Sequence, residues 1–337
     1  MDDRSNTRGA LQKITRSFET LQQANTGLSA VFRKELVDLL RGKRFLILAI
    51  IIAFTCLAAL YTASATIRST VGSEELDFVF LRLFTTSGAS LPFSFISFIA
   101  FFGPLVGIIL GFDAINGERD RGTLSRVLSQ PIYRDALING KFLAGVVVIA
   151  LIIFSLGFLV GGLGLIVTGI PPTVEELMRL LAYLTLTVIY ISFWLALSML
   201  FSVAFRQTST SALAGIAVWL FLAIFAALLA SMAAEAIYPV TDNSDVESII
   251  EQASLEQALS RFSPTTLYDE AVTTLLNPSV RTLGLVMVEQ FIGAIKGSVS
   301  FGQSLLLIWP HVVGLIAVVL ICFAIAYIIF MRQEIRA

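Results

Sequence analysis

The chain is a succession of long apolar runs separated by shorter polar stretches. The hydrocarbon core of a bilayer is about 30 Å thick and is crossed by roughly 20 apolar residues in a helix, and six runs meet that requirement. The six predicted spans cover residues 45–66, 92–113, 142–168, 180–204, 212–234 and 307–331. The pattern therefore predicts an all-α polytopic membrane protein with spans one to five in 45–234 and the sixth span and a short tail in 307–337.

A helix with one apolar face is predicted just before the first span. In residues 28–44 the apolar residues recur at helical spacing, and the charged residues lie away from them. The apolar face is formed by Leu28, Val31, Phe32, Leu36 and Leu39. We expect an amphipathic helix on the cytoplasmic membrane surface, and an ordinary basic flank is the alternative. Residues 1–27 form a polar N-terminal extension.

The segment between spans five and six, residues 235–306, is acidic. It holds nine Asp and Glu residues against three Lys and Arg. Helical spacing of apolar residues within 246–259 predicts a helix there. Residues 283–297 are apolar but too short and too charged to span, so they are expected to be interfacial or re-entrant, with a seventh span as the alternative. The whole segment is predicted to form an external helical cap.

Composition agrees with a membrane protein, and the location of basic residues gives its orientation. The 337 residues are 56% hydrophobic and 14% charged, with a mean hydropathy of +0.86. Seventeen Lys and Arg residues lie on the side of the termini and the 114–141 loop, and six lie on the opposite side. By the positive-inside rule, both termini and this loop are cytoplasmic. No removable signal peptide is apparent, and the predicted location is the cell membrane.

The predicted spans contain few groups that could perform chemistry. Asp113 lies at the cytoplasmic end of the second span and His311 near the outer end of the sixth, where an interfacial role is expected. Cys56 and Cys322 lie in apolar runs and are interpreted as small buried hydrophobes. The chain shows no catalytic motif, metal-ligand cluster or complete phosphate-binding loop. We therefore expect no enzymatic activity, metal or cofactor in this chain, and an ion-coupled carrier is disfavoured.

Small residues are frequent in the second and third spans. Gly103, Gly107 and Gly111 recur every four residues beside Pro104, and further glycines occur in 157–164. Such spacing allows helix backbones to approach closely, while proline removes a helical hydrogen bond. Close helix packing is the favoured interpretation, and a hinge in a gating helix is the alternative.

The most informative polar stretch is GERDRGTLSRVLSQPIYR, residues 117–134. Gly122 can end a helix and Thr123 can cap the next one. Leu124, Val127 and Leu128 would then share one apolar face, and Pro131 would prevent extension. Charged residues surround this face: Glu118, Arg119, Asp120, Arg121, Arg126 and Arg134. An exposed apolar face with a charged rim suits docking of a partner, whereas a solvated basic loop is the alternative.

The same residues carry a resemblance to a known family. The loop resembles the one after the second span in type-two ATP-binding-cassette (ABC) exporter permeases, and within them the branch of the nitrous-oxide-reductase maturation transporter. The matching residues are Glu118, Arg119, Gly122, Thr123, Leu124, Leu128, Ser129, Pro131, Arg134, Gly140 and Lys141. The six-span layout, the helix before the first span and the Ser-Pro segment in 262–269 are also similar to that branch.

The resemblance implies a mechanism and a set of partners. It implies a homodimer, or a pair of related permeases, with two cytoplasmic ATPase subunits that bind ATP and Mg. Residues 117–134 would be the coupling helix, with Glu118, Arg119, Arg121, Gly122, Thr123, Leu124, Val127, Leu128, Pro131 and Arg134 contacting the ATPase. The expected function is an exporter permease. The alternative is a scaffold that relays ATPase movement to an external protein at 235–306 without moving a substrate. Nucleic acid is not an expected partner, and the sequence does not identify the cargo.

Overall fold

The computed structural model describes residues 27–70, 78–87, 94–122, 133–169, 171–239, 245–278 and 299–333, and these residues form helices joined by turns. The short helices are α1 (27–41), α3 (Val79–Thr85), α5 (Asn116–Asp120), α9 (Val246–Ser260) and α10 (Pro264–Leu276). The six long helices are α2 (Lys43–Thr70), α4 (Phe95–Gly111), α6 (Arg134–Thr168), α7 (Val174–Ala204), α8 (Thr208–Ile237) and α11 (Phe301–Arg332). We refer to these six as spans 1 to 6.

The all-α fold with six candidate membrane spans is confirmed. Four of the helices begin several residues before the predicted apolar runs, because a helix ends where its backbone groups find other partners and not where the membrane ends. Span 4 illustrates this, since it begins at Val174 instead of residue 180. Thr173 and Glu176 form a capping box there, in which each side chain bonds the backbone N–H of the other.

Span 4 is the centre of the bundle and packs against spans 2, 3 and 6. The glycines of span 2 lie directly on it. A Cβ atom at Gly107 would stand 2.7 Å from the carbonyl oxygen of Ile191 and 2.8 Å from the backbone nitrogen of Leu195. In span 3, Gly145 and Gly157 lie against the side chains of Leu195 and Leu184 of span 4. The small residues therefore permit close packing, in agreement with the favoured interpretation.

Helices α9 and α10 form a hairpin that enters the bundle beside span 5. Helix α9 packs along the second half of span 5, and at the turn the Ser263 hydroxyl donates to the carbonyl oxygen of Leu222 at 3.0 Å. Leu222 lies in a π-helical turn, Phe221–Phe225, fifteen residues before the end of span 5. At 1.5 Å per residue, the hairpin turn lies about 22 Å below that end. The expected external cap is thus partly inserted among the spans.

Helix α10 is inserted because one of its faces is apolar and fills the space beside spans 2 and 4. The rings of Tyr268 and Tyr190 stack with centroids 4.2 Å apart, and the Tyr268 hydroxyl lies 2.9 Å from that of Thr187. Tyr190 in turn donates to the carbonyl oxygen of Ala100 in span 2 at 3.0 Å. The helical segment 283–297 expected from the sequence lies outside the described residues.

A buried arginine fixes the ends of these helices that lie opposite the 117–134 loop. Arg179, in the second turn of span 4, is fully buried. It donates to the carbonyl oxygen of Leu275 at 2.7 Å, to the Ser304 hydroxyl at 3.0 Å, and to Glu175 at 2.8 Å. It also bonds the carbonyl oxygen of Val299. One guanidinium therefore joins span 4, the end of α10 and the start of span 6.

His311, for which the sequence predicts an interfacial role, is buried and paired with an acidic side chain. Its Nε2 lies 2.6 Å from Oε2 of Glu270 in α10. The same carboxylate accepts from Arg261 at 3.0 Å and from Gln257 at 2.8 Å. His311 therefore joins span 6 to the hairpin, in addition to the contact at Arg179.

Candidate functional site

The candidate site is the end of the bundle where residues 117–134 connect span 2 to span 3. Glu118, Arg119, Arg121, Gly122 and Arg134 are described by the structure. Gly122 follows α5 with a φ of 66°, a conformation that favours glycine at the end of a helix. The remaining predicted contact residues, Thr123, Leu124, Val127, Leu128 and Pro131, lie outside the described residues, so their docking role stays a prediction.

The first part of the site is a buried lysine between two carboxylates. Lys141, in span 3, is 7% exposed. Its Nζ lies 2.8 Å from Oε1 of Glu118 and 2.9 Å from Oε1 of Glu35 in α1. Lys34 adds a second ammonium 2.8 Å from Glu35. These four side chains, which we call the lysine cluster, connect α1, α5 and span 3.

The charges in the lysine cluster stabilise one another's ionised forms. Burial by itself raises the pKa of Glu35, but the positive charges of Lys141 and Lys34 outweigh it and hold that pKa below its ordinary value. Burial likewise opposes the charge on Lys34, and Glu35, Glu118 and Asp38 outweigh it and raise the pKa of Lys34. The cluster is therefore ionised at neutral pH at Glu35 and Lys34.

The second part of the site ties the turn after span 2 to span 4. The Ser202 hydroxyl accepts from the backbone N–H groups of Ile115 and Asn116 at 3.0 and 3.2 Å. It donates to Oδ1 of Asn116 at 3.0 Å. Ser202 and Asn116 are both fully buried. A single hydroxyl thus satisfies the backbone donors that become free where the helix of span 2 is interrupted.

The third part is centred on Gln333 at the end of span 6. Its Oε1 accepts from Nη2 of Arg119 at 2.7 Å, and its backbone oxygen accepts from Nη1 of Arg134 at 3.1 Å. Its Nε2 donates to the carbonyl oxygen of Val203 in span 4 at 2.9 Å. Arg119 precedes residues 123–132 in the chain and Arg134 follows them. Gln333 therefore contacts the loop at both of its ends.

A cavity of about 420 Å³ adjoins the lysine cluster. Its polar wall includes Asp38, Lys43 and Arg121, and its apolar wall includes Ile109 and Leu110 of span 2. Arg121 lies 3.9 Å from Asp113 at the edge of the cavity. The space lies between α1 and the end of span 2.

Part of this site could be predicted from the sequence, and the rest could not. Lys141 belongs to the family motif, but its two carboxylate partners could not be inferred from spacing because they lie 23 and 106 residues away in the chain. Ser202, Asn116 and Gln333 carry no motif. A weak signal exists, since Asn116 and Gln333 are amides at the ends of apolar helices, where free backbone groups need partners.

The contacts at this site hold helices together. The side chains where the 117–134 loop joins the bundle bond one another and backbone groups, and most of these bonds join two different elements. A displacement of the loop would therefore be transmitted to α1 and to spans 3, 4 and 6.

Comparison with known proteins identifies the family. A family model described as "ABC-2 family transporter protein" matches residues 29–335. The chain is similar to the "Probable ABC transporter permease protein NosY" of Pseudomonas aeruginosa, with 30% identity over 153 residues, 45% of this chain and 50% of that protein. It is also similar to the protein of the same name from Stutzerimonas stutzeri, with 29% identity over 141 residues, 42% of this chain and 46% of that protein.

Aligned regions of the chain thus span about half the length of these curated relatives. The family match, in contrast, begins within α1 and reaches past Gln333, so it includes all six spans and the loop between spans 2 and 3. The resemblance to type-two ABC permeases inferred from that loop is confirmed. The chain belongs to the ABC-2 family of transporter proteins.

Proposed function

We propose that this protein is the membrane permease subunit of an ABC transporter, driven by ATP hydrolysis in separate ATPase subunits. The observation that carries the proposal is the base of the 117–134 loop, where Lys141, Ser202 and Gln333 each join the loop to other helices. A loop that only crossed from one span to the next would not need bonds to spans 4 and 6. Membership of the ABC-2 family and the two relatives named as permeases support the same function.

In this proposal the ATPase docks on the apolar face of Leu124, Val127 and Leu128. Burial of that face supplies affinity, and the rim of Glu118, Arg119, Arg121 and Arg134 fixes the register. Two permease copies and two ATPases form the transporter, and closure of the ATPases on ATP and Mg pushes on the loop. The transport direction is outward, from the cytoplasm, as in the exporters that the loop resembles.

The docking face is tested by co-expressing the chain with its proposed ABC ATPase partner. The double substitution Leu124→Glu and Leu128→Glu places two carboxylates where the apolar contact is expected, so we predict that the ATPase no longer co-purifies. The matched control is Ser209→Glu, which adds a charge to an exposed residue at the cytoplasmic start of span 5. Full co-purification of the ATPase with the double variant would contradict the proposed docking face.

The second candidate function is a relay that transmits ATPase movement to an external protein without moving a substrate. The position of the hairpin supports this second function, because α10 is bonded to span 4 at Arg179 and to span 6 at His311. Movement of these spans would displace the hairpin. Three exposed acids of α9, Glu247, Glu251 and Glu256, then offer a surface for a basic partner.

The two functions are separated by changing the exposed acids without removing α10, which is packed in the bundle. The triple substitution to glutamine would abolish partner-dependent activity in a relay and leave ATP-driven export of a fluorescent amphiphile from membrane vesicles intact in a transporter. We expect export to persist.

A further inference from the structure

We propose that Gln333 is a positioning residue. It makes the loop base, which consists of α5 and the start of span 3, move as one unit with spans 4 and 6 when the ATPase acts. This inference rests on the proposed function and extends it, because it adds two spans to the pair that the loop joins directly.

Gln333 is bonded through both polar atoms of its side-chain amide and through its backbone oxygen. The amide oxygen accepts from Arg119, and the amide nitrogen donates to the carbonyl oxygen of Val203. The backbone oxygen accepts from Arg134. Bonds with a charged guanidinium are stronger than neutral ones, so the residue is held firmly from both sides of the loop.

The bond to the carbonyl oxygen of Val203 connects Gln333 to the end of span 4. Val203 is in the last turn of span 4, where carbonyl oxygens lack partners within the helix. Gln333 follows the last residue of span 6. Spans 4 and 6 share the most extensive contact between any two described helices, so a pull on Gln333 acts on the two spans together.

A second contact from the loop base to span 4 exists at Ser202, and the two differ in position. Ser202 holds the turn before α5, whereas Gln333 holds Arg119 within α5 and Arg134 at the start of span 3. Without Gln333, the contact of Ser202 with the beginning of α5 would remain as a described tie between α5 and span 4. The expected consequence is that α5 follows the ATPase while spans 4 and 6 lag behind it.

The experiment measures whether α5 and the end of span 4 keep their separation when the ATPase acts. Cys56 and Cys322 are replaced by alanine, and spin labels are placed at the exposed positions Asp120 and Arg206. The complex with the co-expressed ATPase is placed in nanodiscs, and the label distance is measured by pulsed electron paramagnetic resonance with and without Mg-ATP. In the protein with glutamine at 333 we expect the distance to stay the same in both states.

The test variant is Gln333→Met, which keeps the length of the side chain and the backbone oxygen but removes both amide bonds. We expect the label distance to shift or broaden on addition of Mg-ATP, with co-purification of the ATPase unchanged. Gln333→Glu retains an acceptor for Arg119 but cannot donate to the carbonyl oxygen of Val203, so we expect it to shift the distance as well. Gln303→Met makes the same change at an exposed position at the other end of span 6 and serves as the control.

An unchanged label distance in Gln333→Met, with the ATPase still bound, overturns the proposed role of Gln333 alone. If the unsubstituted chain does not bind the ATPase, the proposed function itself is wrong. The two failures are therefore distinguished by the co-purification that precedes the distance measurement.

Discussion

At the scale of single residues, the end of the bundle at the 117–134 loop depends on the buried charge of Lys141. Lys141 compensates two carboxylates whose side chains are only 12% and 13% exposed. Its removal would leave Glu35 and Glu118 close together, with the 57% exposed Lys34 as their nearest remaining cation. Breaking a buried ion pair by deleting one partner destabilises a protein strongly, because the remaining charge is uncompensated.

We therefore predict that Lys141→Met lowers the stability of the protein by about 3 kcal/mol. The measurement is the thermal unfolding midpoint of the purified protein in detergent at neutral pH. Lys43→Met is the matched control, since Lys43 is an exposed lysine close to the same cavity, and it should change stability by about 0.5 kcal/mol or less. Equal effects of the two substitutions would contradict a special role for Lys141.

The pH dependence of the same variant gives an independent check. The pKa of Glu35 is lowered in the folded protein by Lys141 and Lys34, despite burial. A lowered pKa contributes stability that is present above the unfolded-state pKa and is lost as pH falls through the folded-state pKa. The unsubstituted protein should therefore lose more stability on acidification than Lys141→Met, and a steeper loss in the variant would contradict this assignment.

At the scale of helices, glycine determines how closely the spans pack. Gly107 faces backbone atoms of span 4, which cannot move aside as a flexible side chain can. A Cβ atom at Gly162 in span 3, in contrast, would meet no atom of another described helix within 4 Å. The same residue type thus has opposite consequences in two neighbouring helices.

We predict that Gly107→Ala destabilises the bundle by about 1–3 kcal/mol, because spans 2 and 4 must separate to accept the methyl group. Gly162→Ala is the matched control and should be neutral or slightly stabilising, since alanine is the better helix former. The check is thermal unfolding of both variants in the same detergent. Destabilisation of the same size at both positions would show that glycine does not act through close packing against span 4.

Much of the architecture could be predicted at this scale. The apolar runs indicate six spans, because a membrane crossing requires an unbroken apolar length that few other structures need. The insertion of α10 could not be predicted, since the stretch PTTLYDEAVTTLL is too short and too polar to be recognised as membrane-embedded. Its Tyr268 face finds its partners on Thr187 and Tyr190, which lie 81 and 78 residues away in the chain.

The candidate site shows the same limit. The local sequence pattern marks Gly122 and the charged residues around it, because a turn and a charged rim are properties of neighbouring residues. Gln333 could not be found in this way, since its role comes from bonds to Arg119 and Val203 across 214 and 130 residues. Contacts of this range depend on the packed bundle and leave no mark on the local sequence.

At the scale of the whole molecule, the two ends of the bundle are held by different chemistry. The end at the 117–134 loop uses ionised clusters and amides, whereas the opposite end uses Arg179 and the pair of His311 with Glu270. Spans 4 and 6 take part at both ends. They form the direct physical connection between the loop that would receive force and the hairpin at the opposite side.

This arrangement predicts which positions a polar reagent can reach from each side of the membrane. With Cys56 and Cys322 replaced by alanine, single cysteines are placed at Glu247, Phe262 and Arg206, and intact cells are treated with a membrane-impermeant maleimide. Glu247→Cys, at the start of α9, should react from outside. Arg206→Cys should react only after permeabilisation, because the positive-inside rule places the turn between spans 4 and 5 in the cytoplasm.

Phe262→Cys tests the hairpin itself. Phe262 lies at the hairpin turn and is 85% exposed, and a large apolar side chain with that exposure is stable in hydrocarbon but unfavourable in water. We therefore expect the cysteine to remain unreactive in both intact and permeabilised cells and to react after denaturation. Rapid reaction from outside would place the turn in water, and the hairpin would then line an aqueous opening between the spans instead of contacting lipid.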